Sequence, residues 1–90
     1  MNGPTTNDPS ALALRALAAV LGDQRLTDRF LSLSGIHPPD LRQRAGQPDL
    51  LAALIRFLEA HEPDLVAVAE AMDVKPDVLV ATRMELEGME

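Results

Sequence analysis

The chain has 90 residues, of which 47% are hydrophobic and 2% aromatic, and it contains no cysteine. This length makes a single domain, and the lack of cysteine excludes disulfides, thiolate nucleophiles and cysteine-based zinc sites. The formal net charge of −6 is uneven: residues 1–45 carry +1 (five Arg, four Asp) and residues 46–90 carry −7 (three bases, ten acids). This acidity argues against nucleic acid and anionic membranes as partners.

The two ends of the chain differ from its middle. Residues 1–7 are polar and predict a disordered N-terminal tail, residues 8–87 predict a helical domain, and residues 88–90 predict a frayed C-terminus. The N-terminal segment lacks the basic stretch followed by an apolar one that a secretory signal needs. The longest nearly apolar run, 11–21, contains Arg15 and is too short to cross a bilayer. We therefore expect a cytoplasmic protein that makes no membrane contact.

The first predicted helix covers residues 9–21, with Asp8 as its N-cap and Pro9 at its first position. Arg15 is its only charged residue. We therefore expect this helix to lie at the centre of the fold or beneath a second subunit. Its predicted buried stripe, at the spacing i, i+3, i+4 and i+7, consists of Leu14, Leu17, Ala18 and Leu21.

The second predicted helix covers residues 24–34 and ends at Gly35, which is suited to a left-handed stop. Arg25 and Arg29 lie four residues apart in it and so share one face. A short third helix is predicted over residues 39–44, after a proline-containing turn. The side chains predicted to point inward from these two helices are Leu26, Phe30, Leu33 and Leu41.

The last three predicted helices cover residues 48–60, 63–72 and 76–86, and each begins with a proline followed by an aspartate. Such starts give short helices with sharp corners. The sequence therefore predicts an all-α fold, a compact orthogonal bundle of five or six short helices in a single domain. The predicted apolar stripes of the first two of these helices are Leu50 or Leu51, Leu54, Ile55 and Leu58, and Leu65, Val68, Ala69 and Met72. In the last helix, one row consists of Leu79, Thr82, Arg83 and Leu86.

A candidate partner-binding patch lies around the second and third helices. Guanidinium groups bind carboxylates through paired hydrogen bonds, so this cluster would dock an acidic group. Asp40 is expected to act locally, by pairing with Arg44 or with Arg29 across the corner. The alternative interpretation is that this face is solvated and that nearby aspartates balance its charges. The patch consists of Arg25, Arg29, Asp40, Arg42 and Arg44.

Two corners of the chain loosely fit the spacing of a helix-turn-helix. A recognition helix needs Arg, Lys, Asn or Gln directed at phosphates and bases, whereas the last helix carries three acids against Arg83. The helices of the earlier corner contain more arginine. A small helix-turn-helix regulator that binds nucleic acid is therefore the alternative function. The two corners are Ala69, Asp73 and Leu79, and Leu31, Gly35 and Leu41.

The sequence contains no convincing catalytic or metal-binding pattern. His61, Glu62 and Asp64 are close together, but no His-Glu-x-x-His pair accompanies them. Ser34 and His37 lack the Gly-x-Ser-x-Gly turn of a nucleophilic serine. We therefore expect no enzymatic activity, no metal and no cofactor.

Residues 30–42 have a distinctive order: a Phe-Leu pair, then a glycine, then Asp-Leu-Arg from Asp40. A Leu-rich helix that ends in Phe-Leu follows at 51–58. These stretches resemble a family of small all-helical alphaproteobacterial proteins of unknown function. The resemblance implies a compact helical protein of the bacterial cytoplasm and assigns no activity. It makes Arg29, Asp40 and Arg42 the residues most worth testing.

These observations together predict a non-enzymatic protein-interaction or regulatory module. Its partner is expected to be another protein or a second copy of the chain in a homodimer. The first and fourth helices carry the most apolar surface, so they would supply the apolar contact.

Overall fold

The computed structural model describes residues 8–89, which form six α-helices and no strand. The prediction of an all-α fold is confirmed, and the six ranges agree with the predicted ones to within two residues. The predicted tail at 1–7 and the last residue, Glu90, lie outside the described residues. No helix between residues 8 and 89 is long and apolar enough to cross a membrane. The helices are α1 (Pro9–Leu21), α2 (Gln24–Ser34), α3 (Pro38–Gln43), α4 (Pro48–Glu59), α5 (Glu62–Met72) and α6 (Pro76–Gly88).

Short-range sequence signals set the helix ends. The Asp8 and Asp23 carboxylates accept hydrogen bonds from backbone N–H groups of α1 and α2, at 2.9 Å from Ser10 and 3.0 Å from Arg25. The other helices, like α1, have a proline at the first or second position. Because proline lacks an N–H that would go unpaired there, it starts these helices at no cost.

Four helices, α1, α4, α5 and α6, pack against one another and are called here the four-helix core. Its centre is α4, whose inward side chains are excluded from solvent. Burial of each leucine or isoleucine contributes about 1.5–3 kcal/mol to the free energy of unfolding. The buried side chains of α4 are Leu50, Leu51, Ala52, Leu54, Ile55 and Leu58, which confirms its predicted apolar face.

The remaining helices, α2 and α3, form what is called here the α2–α3 arm (residues 24–43). The arm packs mainly against α1, and its buried side chains are Leu26, Phe30 and Leu41. Leu33, which the sequence places on the same inner stripe, is 74% exposed. That prediction is wrong because the last turn of α2 borders an open groove and not the core.

The predicted stripe of α1 is also wrong. Leu14 and Leu21 are 41% and 49% exposed, Ala18 is exposed, and only Leu17 of the predicted four is buried. Almost every face of this helix is apolar, so helical spacing allows two stripes and does not choose between them. The stripe that faces the core contains more alanine, which lets neighbouring helices approach closely. It consists of Leu12, Ala13, Ala16, Leu17 and Val20.

An ion-pair network ties α6 to α4. Arg83 donates to both carboxylate oxygens of Glu59, at 2.7 and 3.2 Å, and to Glu87 at 3.0 Å. Arg56 pairs with the other oxygen of Glu87. The hydrogen bond to Glu59 raises the pKa of Arg83 despite the desolvation that opposes its charge. Burial alone would raise the pKa of Glu87, but the hydrogen bonds and charges of Arg56 and Arg83 outweigh it and lower that pKa.

Candidate functional site

The structure divides the predicted arginine patch into two groups. Arg25 and Arg29 point from α2 toward the start of α5, where they meet Asp64. Arg44 instead bonds to Asp49 at 3.1 Å, next to the start of α4. The expected pairing of Asp40 with Arg44 or Arg29 is wrong, because both arginines bind carboxylates elsewhere.

Asp64 is the polar centre of the first group. Its side chain is only 4% exposed, and its Oδ2 lies 2.6 Å from Nη1 of Arg29. Arg25 reaches within 4.0 Å of the other oxygen, and Nδ1 of His61 lies 3.5 Å from Oδ2. A buried carboxylate is costly without such partners. Asp64 therefore fixes the position of Arg29 relative to the core.

Phe57 of α4 provides the aromatic contact for the same arginine. The guanidinium carbon of Arg29 lies 5.3 Å from the centre of the Phe57 ring, within cation–π range. Phe30 meets Phe57 edge to face, with ring centres 5.4 Å apart and planes at 62°. The two phenylalanines, the only aromatic residues of the chain, therefore lie beside the Arg29–Asp64 pair.

An open groove of about 560 Å³ lies over these residues, between α2 and α4. We call it the α2/α4 groove. Its floor is apolar, and its charged or titratable lining groups are two arginines and one histidine, with no carboxylate among them. The lining consists of Arg29, Phe30, Leu33 and Ser34 from α2, of Ala53, Arg56, Phe57 and Ala60, and of His61.

A second groove, of about 500 Å³, lies on the opposite side of α2, bounded by α1 and α3. We call it the α1/α3 groove. Its walls are mainly leucine, and its charged lining residues are Asp28 and Arg42, one of each sign. Arg42 of the predicted patch therefore belongs to this groove and not to the cluster around Asp64. The apolar lining residues are Leu17, Leu21, Leu31, Pro38, Leu41 and Ala45.

The polar groups of the α2/α4 groove are engaged in holding the fold. The Ser34 hydroxyl donates to the Leu31 carbonyl at 3.5 Å and accepts from the Ile36 N–H at 3.2 Å, so it closes the end of α2. His61 lies beside Asp64. From Asp8 to Met89, no three His, Asp or Glu side chains are grouped to hold a metal ion. The arrangement suits binding of an apolar group next to an anion.

Sequence reasoning missed Asp64 as the partner of the arginines and treated it as part of a weak metal pattern with His61. One signal for its burial is present in the sequence. Asp64 precedes Val68 by four residues and Met72 by eight, so it shares their inward face. The position of Phe57 between Arg29 and Phe30 has no comparable signal.

Comparison with known proteins identifies the family. No curated protein and no solved structure matches the chain. The family described as "Protein of unknown function (DUF3572)" matches residues 6–89, almost the whole length. The match confirms the resemblance to a family of unknown function and covers both grooves and the four-helix core. The chain therefore belongs to the DUF3572 family of proteins of unknown function.

Proposed function

We propose that the protein is a non-enzymatic protein-interaction module and that its α2/α4 groove binds an acidic, amphipathic segment of a partner protein. The observation that carries this proposal is the lining of the groove, an apolar floor with arginine and histidine at its edge and no carboxylate. Apolar anchors of a partner would contact Leu33 and Phe57. Its carboxylates would meet the cationic edge, as in other helix-in-groove complexes.

The local charge supports an acidic partner although the chain as a whole is acidic. Arg29 and Arg56 line the groove, and Arg25 approaches the same Asp64 carboxylate as Arg29. The carboxylates that pair with these three arginines are Asp64 and Glu87. Three guanidinium groups thus face two carboxylates, which leaves an excess positive charge. Arg25 is the least engaged of the three, because its side chain is 67% exposed and 4.0 Å from Asp64.

Preorganisation supports the same proposal. Arg29 is held between the Asp64 carboxylate and the Phe57 ring, so its guanidinium keeps one orientation before a partner arrives. A binding group that is already ordered loses less conformational entropy on association. The groove thus combines a fixed cation with an apolar surface at its side.

The alternative, a helix-turn-helix regulator that binds nucleic acid, has less support. The second helix of the earlier corner, α3, spans only six residues. In the later corner, the arginine of α6 is occupied by Glu59 and Glu87. Phosphate neutralisation dominates affinity for nucleic acid, and neither helix offers a free row of cations for it.

The test uses two fluorescein-labelled peptides and the full chain. One peptide carries Glu on one helical face and Leu on the other, and the second carries Lys in place of Glu. Fluorescence anisotropy should detect binding of the acidic peptide only. Equal binding of both peptides, or of neither, would overturn the proposal. A labelled DNA duplex at low salt tests the alternative, which predicts binding with a steep salt dependence.

Matched variants locate the binding surface. Leu33→Glu alters an exposed groove residue, and Arg25→Glu alters the exposed arginine that shares Asp64 with Arg29. Each should weaken binding of the acidic peptide about tenfold or more. Met84→Glu and Lys75→Glu make the same changes at exposed positions of α6 and its N-cap. These controls should bind the peptide as the wild type does. Loss of binding in the controls as well would place the site elsewhere.

A further inference from the structure

We propose that the α1/α3 groove and the exposed face of α1 form an interface between two copies of this chain. This surface is separate from the α2/α4 groove and does not depend on the function proposed for it. The first observation is the apolar character of the exposed α1 face. Leu14, Ala18 and Leu21 follow one another at the spacing of a single helical face and are all exposed.

An exposed helix face in a monomer usually carries charged or polar side chains. The only charged residue of α1 is Arg15, and its Nη2 donates to the carbonyl of Met72 at 2.7 Å, at the end of α5. The guanidinium is therefore engaged by the core. The exposed face of α1 has no charge of its own and favours an apolar contact.

This face continues into the α1/α3 groove. Leu17 and Leu21 of α1 line the groove, with Leu31 from α2 and Leu41 from α3 on its other walls. A projecting leucine stripe thus lies next to an apolar depression on the same molecule. In a twofold contact, the stripe of each copy would fill the groove of the other.

The charges of the groove favour a second copy as the occupant. Asp28 and Arg42 are its two charged lining residues. In the described part of the chain, Arg42 has no carboxylate within salt-bridge distance, and Asp28 accepts one side-chain hydrogen bond, at 2.7 Å from Gln24. In a twofold dimer, if a residue of the first copy contacts a second residue in the other copy, the reverse contact forms as well. Asp28 of each copy would therefore face Arg42 of the other, whereas an acidic partner would place a like charge opposite Asp28.

Sedimentation velocity of the full chain over a range of concentrations tests the interface. The wild type should show a reversible monomer–dimer equilibrium. Leu21→Glu places a charge on the apolar stripe and should shift the chain to monomer. Leu33→Glu makes the same change in the other groove and should leave the dimer intact. A wild type that stays monomeric throughout, or equal dissociation of both variants, would overturn the proposal.

Reversing the charges of Asp28 and Arg42 gives a sharper test, because both residues are exposed and neither forms a salt bridge between residues 8 and 89. Asp28→Arg and Arg42→Asp should each weaken dimerisation about tenfold. Combined in one chain, the two changes restore opposite charges across the twofold axis and should restore the dimer. Circular dichroism checks that each variant keeps its helices. Single variants that dimerise normally, or a double variant weaker than either, would contradict the pairing.

Discussion

The four-helix core and the α2–α3 arm differ in how much buried apolar surface holds them, although the buried side chains of both belong to one hydrophobic cluster. In the core, the buried side chains of α4 are at most 1% exposed, and those of α1, α5 and α6 pack around them. In the arm, three side chains are buried, and hydrogen bonds and an ion pair connect the arm to α1 and α5. Thr27 donates to the Val20 carbonyl at 2.8 Å, and Arg29 binds Asp64. Burial thus dominates in the core, whereas the arm combines fewer buried side chains with a few specific bonds.

The difference matters because the arm forms a wall of both grooves. The α2/α4 groove lies on one side of α2, and the α1/α3 groove lies on the other. Segments with few buried apolar contacts open at a lower free energy than the core does. One wall of each proposed binding surface therefore belongs to the region that we expect to open at the lower free energy.

Truncation of side chains should separate the two regions most strongly. Ile55→Ala removes a fully buried side chain at the centre of the core and should lower the free energy of unfolding by about 2–5 kcal/mol. Leu31→Ala, at a half-buried position of the arm, should cost about 1 kcal/mol or less. Urea unfolding followed by circular dichroism measures both. Equal losses would mean that the arm is packed as firmly as the core.

The ion pairs of the arm should contribute unequally. Arg29→Met leaves the buried carboxylate of Asp64 without its closest donor and should cost about 1–3 kcal/mol. Arg25→Met removes an exposed and distant partner and should change stability by about 0.5 kcal/mol or less. Double-mutant cycles with Asp64→Asn give both coupling energies. A larger coupling for Arg25 would contradict the geometry.

The corresponding ion pairs of the core should produce a pH dependence. The pKa of Glu87 is lowered from its ordinary value of 4.5 in the folded protein. Its contribution to stability is therefore complete above pH 4.5 and is lost as the pH falls through the lower folded pKa. Glu87→Gln should flatten the acid side of the stability curve, measured by urea unfolding at several pH values. If the loss of stability at acidic pH is the same in Glu87→Gln as in the wild type, Glu87 does not titrate in this way.

The two left-handed corners should give the smallest effects, in opposite directions. Gly35 ends α2 with φ 73°, and Asp73 ends α5 with φ 59°. Gly35→Ala places a Cβ in this conformation and should cost about 1 kcal/mol. Asp73→Asn keeps a residue that tolerates the conformation and removes a negative charge from a helix C-terminus, so it should stabilise by about 0.3–1 kcal/mol. Thermal unfolding of both variants checks the signs.

The accuracy of each predicted buried face depends on how clearly charged residues mark the other faces of its helix. In α4, charged side chains mark the faces that point away from the core, so the spacing of Leu54, Ile55 and Leu58 indicates one inward face, and that prediction is confirmed. In α1, apolar residues cover nearly every face, so the spacing cannot tell the core stripe from the exposed one that contains Leu14. Leu33 extends the stripe of α2 correctly by spacing, but none of the six described helices covers that turn. Periodicity specifies a face, and only the tertiary packing decides whether that face is covered.

The candidate site follows the same rule. The spacing of Arg25 and Arg29 predicts that they share a face, and they do converge on one carboxylate. That the carboxylate is Asp64, 35 residues from Arg29, depends on how α2 and α5 are placed around α1. The pairing of Asp40 with Arg44 is wrong because Asp49 at the start of α4 lies closer to that arginine. Local pattern therefore predicts which residues cluster along a helix but not their partners on other helices.

Native-state hydrogen exchange, resolved by residue, tests most directly whether the arm is attached separately from the core. The amides of Leu54 and Ile55 in α4 should exchange only through global unfolding. Those of Phe30 and Leu31 in α2 should exchange through a smaller opening, at a free energy several kcal/mol lower. If the amides of α2 exchange only through the same global unfolding as those of α4, the arm is part of the core and the account is contradicted.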